Sequence, residues 1–140
     1  MSASLDTLLE HPALWRGEAC VRNAPAVPSG FAALDACLPG GGWPQGALSE
    51  LIAPLAGIGE FALLMPVCAR LTRAGRWVIF IAPPYIPYVP ALADAGLELA
   101  RLLLVRAESG NDRLWGLEQA LKSRYWGAAI AWPLRIAVRG

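Results

Sequence analysis

Seven residues, Arg76-Trp77-Val78-Ile79-Phe80-Ile81-Ala82, constrain this chain more than any other stretch. The run is β-branched and aromatic, and it is bounded by Gly75 and by Pro83-Pro84. No polar residue alternates with the apolar ones. A strand of that kind is covered on both faces and sits inside a sheet rather than at its margin. Three further strand candidates flank it: Ala47–Ala53, Ala100–Val105 and Gly127–Trp132. Helical patterns separate them. Gly59–Ala74 is long enough for a helix with Gly75 as its stop, and Pro66 inside it implies a kink or a late start. Pro87–Gly96 gives a short helix, and Asn111–Arg124 gives an amphipathic one of imperfect period. Strands alternating with helices predict an α/β fold with a parallel sheet and crossover helices.

Ahead of this pattern, Leu5–Trp15 predicts a short helix broken near Pro12, and Arg16–Gly30 reads as a loop or linker. Phe31–Leu38 is a helical turn, and Pro39–Gly46 is a Gly/Pro loop that carries Trp43. The expected division is therefore 1–30 as helix and linker, 31–133 as the α/β domain and 134–140 as a short tail. The 140 residues are 56% hydrophobic and 16% charged, which suits one domain with a core and excludes a disordered chain. The net charge of +1 argues neither for nor against nucleic acid. Cys20, Cys37 and Cys68 are odd in number and lack C-x-x-C spacing, so free thiols in a reducing compartment are expected. The N-terminus has no signal-peptide pattern, and no apolar run approaches the ~20 residues of a membrane span. A soluble cytoplasmic protein without membrane partners is the expectation. His11 is the sole histidine, so a Ser-His or metal centre has no material.

The loop after the first strand candidate is where a Walker A motif, G-x-x-x-x-G-K-[ST], would lie. With its second glycine placed on Gly59, Pro54 stands for the first glycine, Glu60 for the lysine and Phe61 for the hydroxyl residue. Proline offers no N–H to a phosphate. Glutamate brings a like charge, worth roughly 4 kcal/mol of repulsion near 4 Å at an intermediate dielectric. The sole lysine, Lys122, is far along the chain. Gly57 and Gly59 are explained as a turn feeding a helix, and no nucleotide or other cofactor is expected.

Three strings in order, Pro28-Ser29-Gly30-Phe31-Ala32-Ala33-Leu34-Asp35, Leu38–Gly46 (LPGGGWPQG) and Leu48-Ser49-Glu50-Leu51-Ile52, resemble the entry to the RecA core. Finer features resemble the ImuA family of translesion-synthesis-associated proteins, which is related to RecA and to the division inhibitor SulA. They are Leu14-Trp15-Arg16-Gly17, Gly57-Ile58-Gly59-Glu60, Gly75-Arg76-Trp77, Ile81-Ala82-Pro83-Pro84, Pro87-Tyr88 and Ala131-Trp132-Pro133. The resemblance runs to Pro133. Leu134–Gly140 departs from it, so a chain truncated after its fourth strand is expected.

The resemblance implies a RecA-like (P-loop NTPase-type) sheet whose ATP chemistry is absent. Pro84 takes the place of the carboxylate that orients water, and Trp132 takes the place of the Walker B aspartate. It implies a non-catalytic adaptor of the SOS response. The implied partners are RecA, an ImuB-type inactive Y-family polymerase and an error-prone polymerase III α-type subunit. A SulA-like inhibitor binding the tubulin-like division protein is the alternative. From the residues themselves, Trp43, Tyr85 and Tyr88 are candidate partner contacts. Arg113, Lys122 and Arg124, along one predicted helix, are candidate contacts for single-stranded DNA.

Overall fold

The computed structural model describes residues 25–133 apart from Ala56 and Ile58. The predicted helix Leu5–Trp15 and the tail 134–140 lie outside the described residues. The chain divides into two compact units, Met1–Glu60 and Phe61–Gly140.

In the first unit, strand β1 (Ala26–Val27) pairs antiparallel with β2 (Trp43–Pro44), Val27 opposite Trp43. Between them lies helix α1 (Ala32–Cys37). The Ser29 amide donates to Asp35 Oδ1 at 2.8 Å, and the Phe31 amide donates to Ser29 Oγ at 3.1 Å. These bonds hold the first turn of α1 and give the Ser29…Asp35 pairing in the RecA-like string its physical reason. Gly42 must be glycine, because a Cβ there would lie 2.3 Å from the Val27 carbonyl oxygen. Three expectations change. The stretch 16–30, read as a loop, contains β1, and Pro39–Gly46, read as a Gly/Pro loop, contains a 3-10 turn and β2. Ala47–Ala53, read as a strand, carries no ladder, and Leu48 and Ile52 are 90% and 87% exposed. Its alternation has strand character, but backbone donors and acceptors require a neighbouring strand. Among the described residues none pairs with it.

The second unit holds the predicted parallel sheet in the order β4-β3-β5, where β3 is Trp77–Ile81, β4 Leu102–Val105 and β5 Trp126–Ala131. The central strand β3 is buried from Val78 to Ile81, as its unbroken apolar run requires. Helix α2 (Met65–Arg73) leads into β3, α3 (Val89–Asp94) connects β3 to β4, and α4 (Gly110–Lys122) connects β4 to β5. Pro66 lies in the first turn of α2, so the helix starts late rather than kinking; a 3-10 turn, Glu60–Leu63, precedes it. Ser109 caps α4 by accepting from the Asp112 amide at 3.0 Å. Ile79, Ile81 and Ala120 form one core cluster, with Leu117, Ala129 and Ala131 packed against it.

Thr72, fully buried, donates to the Cys68 carbonyl at 2.9 Å and accepts from the Glu98 amide at 3.1 Å, tying α2 to the approach of β4. Ala82 has a φ of 50°, the one left-handed non-glycine residue described, and its amide donates to the Val105 carbonyl at 2.8 Å.

Burial pushes the Cys68 thiol up to about 12. Below pH 9 the thiol is neutral in both folded and unfolded chains, so it adds no pH dependence. Above pH 9 the unfolded chain ionises while the folded chain keeps the proton. Stability therefore falls as pH rises from 9 toward about 12, by ~1.4 kcal/mol per pH unit. Urea midpoints at pH 8 and pH 10.5 should differ more for the parent than for Cys68→Ala, and equal differences would contradict this.

Candidate functional site

In parallel α/β sheets, ligands bind beyond the carboxyl ends of the strands. Here those ends are Ile81, Val105 and Ala131. They are laced together: Ala82 donates to Val105, and the Trp132 amide donates to the Ile81 carbonyl at 3.1 Å.

The glycine-bearing loop that ends at Glu60 lies in the first unit. Gly57 and Gly59 have φ of 83° and 105°, conformations that glycine adopts freely. The Gly57 amide donates to Glu60 Oε1 at 2.8 Å. The Glu60 side chain thus turns its carboxylate onto the loop's own backbone. Pro54 is exposed.

The second unit contains an arrangement that the sequence does not announce. Phe61, Phe80 and Trp132 form one aromatic cluster. The Phe61 and Phe80 centroids are 5.0 Å apart at 74°, Phe61 and Trp132 5.7 Å apart, and Phe80 and Trp132 6.2 Å apart at 86°. Edge-to-face contacts of this kind are favoured by the ring quadrupoles. In P-loop NTPases the hydroxyl residue and the Walker B aspartate share one magnesium ion. Phe61 and Trp132, the residues that the sequence reading expects at those two positions, are in ring contact with each other.

Pro84 is exposed in the segment after β3, and beside it Tyr85 and Tyr88 are exposed at 72% and 73%. Ile86 and Val89 are exposed as well, which makes this segment an uncharged apolar projection. Trp43, in β2, is half-buried, and its Nε1 has no hydrogen-bond partner among the described residues.

The three basic candidates on and after α4 separate. Arg113, half-buried, donates from Nε to the Ala107 carbonyl at 3.2 Å and from Nη1 to the Trp132 carbonyl at 3.1 Å. It clamps the carboxyl ends of the strands. Arg113→Ala should lower stability by about 1–2 kcal/mol, read as a shift in urea midpoint, because those carbonyls lose charged donors. Lys122 pairs with Glu118 at 2.6 Å, and Arg124 is exposed just ahead of β5, so both lie at the opposite end of the sheet from Arg113. Among the described residues, no helix is long and apolar enough to cross a membrane, and no three His, Cys, Asp or Glu side chains gather as metal ligands would.

No protein-family model matches the chain. It is 32% identical over 112 residues to "Protein ImuA" of Caulobacter vibrioides strain NA1000, covering 76% of this chain and 46% of that protein. It is 31% identical over 110 residues to "Protein RecA" of Acholeplasma laidlawii, covering 76% of this chain and 32% of that protein. A mitochondrial DNA repair protein recA homolog of Dictyostelium discoideum is 29% identical over 98 residues, covering 70% of this chain and 22% of that protein. The chain thus spans about half the length of the ImuA relatives it matches.

Proposed function

This chain is ImuA-like with a RecA-like α/β fold, and on that footing we propose that it is a non-catalytic adaptor in SOS-induced, error-prone translesion DNA synthesis in the cytoplasm. The observation that carries the proposal is the contact between Phe61 and Trp132. A RecA-like fold implies a magnesium nucleotide, and these residues do not fit one. The two positions that would ligate the metal are apolar rings packed on each other and on Phe80. The position of the phosphate-binding lysine holds Glu60, whose carboxylate already accepts from Gly57. Pro84 offers no carboxylate to orient water. A RecA-like chain without nucleotide control acts through its surfaces.

The partners in this reading are RecA, an ImuB-type inactive Y-family polymerase and an error-prone polymerase III α-type subunit. Tyr85 and Tyr88 are its foremost contact candidates, since aromatic side chains this exposed at a strand end suit anchoring in a partner's pocket. Trp43 is the third, in the other unit. Pull-down with purified RecA and ImuB tests the reading. Retention of either, weakened by Tyr85→Ala with Tyr88→Ala, is the expected result. Micromolar, magnesium-dependent ATP binding seen by calorimetry would overturn it.

A further inference from the structure

Helix α2 borders a groove that the adaptor reading does not use. Its volume is about 620 Å³, and it lies between α2 and the residue that ends α3, Ala95. Met65 and Pro66 line it at the amino end of α2, and Arg70 and Arg73 line it at the last turn. The rest of the lining is alanine, from Ala62, Ala69 and Ala95. Side chains this small let a second helix come close. From Met65 to Arg73 the helix rises about 12 Å, which matches some two turns of a helix laid alongside.

Charge along the groove is one-sided. Arg70 and Arg73 are exposed, and among the described residues neither is in an ion pair. Arg73 is set in place. Its Nε donates to the Gly96 carbonyl at 2.9 Å, and its guanidinium passes over Gly96, where any side chain would collide with it. The Nη groups of Arg73 are left to meet a ligand. No carboxylate lines the groove, and Asp94, next to Ala95 in the chain, pairs with neither arginine.

We propose that this groove docks an acidic amphipathic helix of a partner protein, laid antiparallel to α2, with carboxylates in its first turn and aliphatic side chains in the next two. The lining dictates each part. Guanidinium groups take carboxylates with paired, charge-assisted bonds. A helix's first turn is the positive end of its dipole, so it favours acidic side chains and suits the negative end of α2 beside it. Aliphatic groups one and two turns on reach Met65, Pro66 and the alanines, as in other helix-in-groove contacts. A nucleic acid strand would use the two cations but find no ring in the lining on which to stack a base. An anionic membrane takes an apolar face that projects, and this one is recessed. The inference stands apart from the adaptor proposal, since neither Tyr85 nor Tyr88 lines the groove.

The test is anisotropy of a labelled, capped helical peptide of about 16 residues titrated with the full chain at low salt. The peptide carries glutamates in its first turn and leucines at i+4, i+7 and i+8 from them. Micromolar binding is the expected result. Arg70→Glu should weaken it about tenfold, through loss of a charge pair. Ala95→Leu, which fills the groove without altering charge, should also weaken it about tenfold. Both residues are exposed, so both variants should fold, and circular dichroism checks that. Tyr85→Ala with Tyr88→Ala should leave binding as it was, as should Arg106→Glu outside the groove, so failure here and failure of the adaptor reading are told apart. No binding of the peptide overturns the proposal. So does equal binding of a scrambled peptide that has no apolar face, or of one with glutamine for glutamate. Equal competition by oligothymidylate or by phosphatidylglycerol vesicles overturns it too, since that describes a general polyanion surface.

Discussion

Phe80→Ala should destabilise the chain by about 3–5 kcal/mol, measured as a fall in urea midpoint at constant slope. Phe80 is the largest side chain described that is wholly removed from solvent, and it lies in the central strand between two neighbours. Its ring is the edge-to-face partner of both Phe61 and Trp132. Truncation therefore loses the transfer free energy, opens a cavity and unseats two further rings. Those rings come from α2's approach and from the residue just past β5, so collapse around the cavity would have to move separate elements. A loss below 1.5 kcal/mol would mean that the aromatic cluster is loosely held and does not organise this end of the sheet.

Trp132→Asp should cost about 3 kcal/mol or more and should bring no gain in nucleotide affinity. Under the proposed alignment, the substitution places at position 132 the residue that binds the metal in P-loop NTPases. In those enzymes, the aspartate faces a hydroxyl residue and magnesium. Here it would face the rings of Phe61 and Phe80. The indole contacts vanish, and a carboxylate set beside the rings of Phe61 and Phe80 loses hydration. Denaturant unfolding with calorimetry against magnesium ATP measures both halves. A variant as stable as the parent would show that the rings are bystanders rather than the replacement for the metal site.

How far the sequence reaches is clear from particular residues. The run Trp77–Ile81 announces a strand with two covered faces, and the structure buries it at the centre of three. The helices also come out, with Gly75 and Pro66 marking the ends of α2 locally and the predicted Asn111–Arg124 close to the observed Gly110–Lys122. Ala47–Ala53 fails for the opposite reason: strand propensity is local, but a strand exists only with a neighbour, and sequence does not name the neighbour. The aromatic cluster fails likewise. Phe61 and Trp132 each read as a missing catalytic group, and their separation along the chain hides that they touch. Arg70 and Arg73 stand outside the candidate contacts, since by themselves they read as a basic helix end. Only the end of α3, folded beside α2, makes a groove of them. Arg113, Lys122 and Arg124 look equivalent in sequence, yet the length of α4 carries them to opposite ends of the sheet.

The conformation of Ala82 bears on how the segment with the exposed tyrosines leaves the sheet. A left-handed alanine stores roughly 1–2 kcal/mol, and this one precedes a proline, is buried, and is locked by its bond to Val105. The chain leaves the central strand in a direction chosen by the sheet, not by a swivelling joint. The segment that carries Tyr85 and Tyr88 therefore starts from a fixed point, and under the proposed adaptor role a partner would meet it leaving the sheet in one set direction.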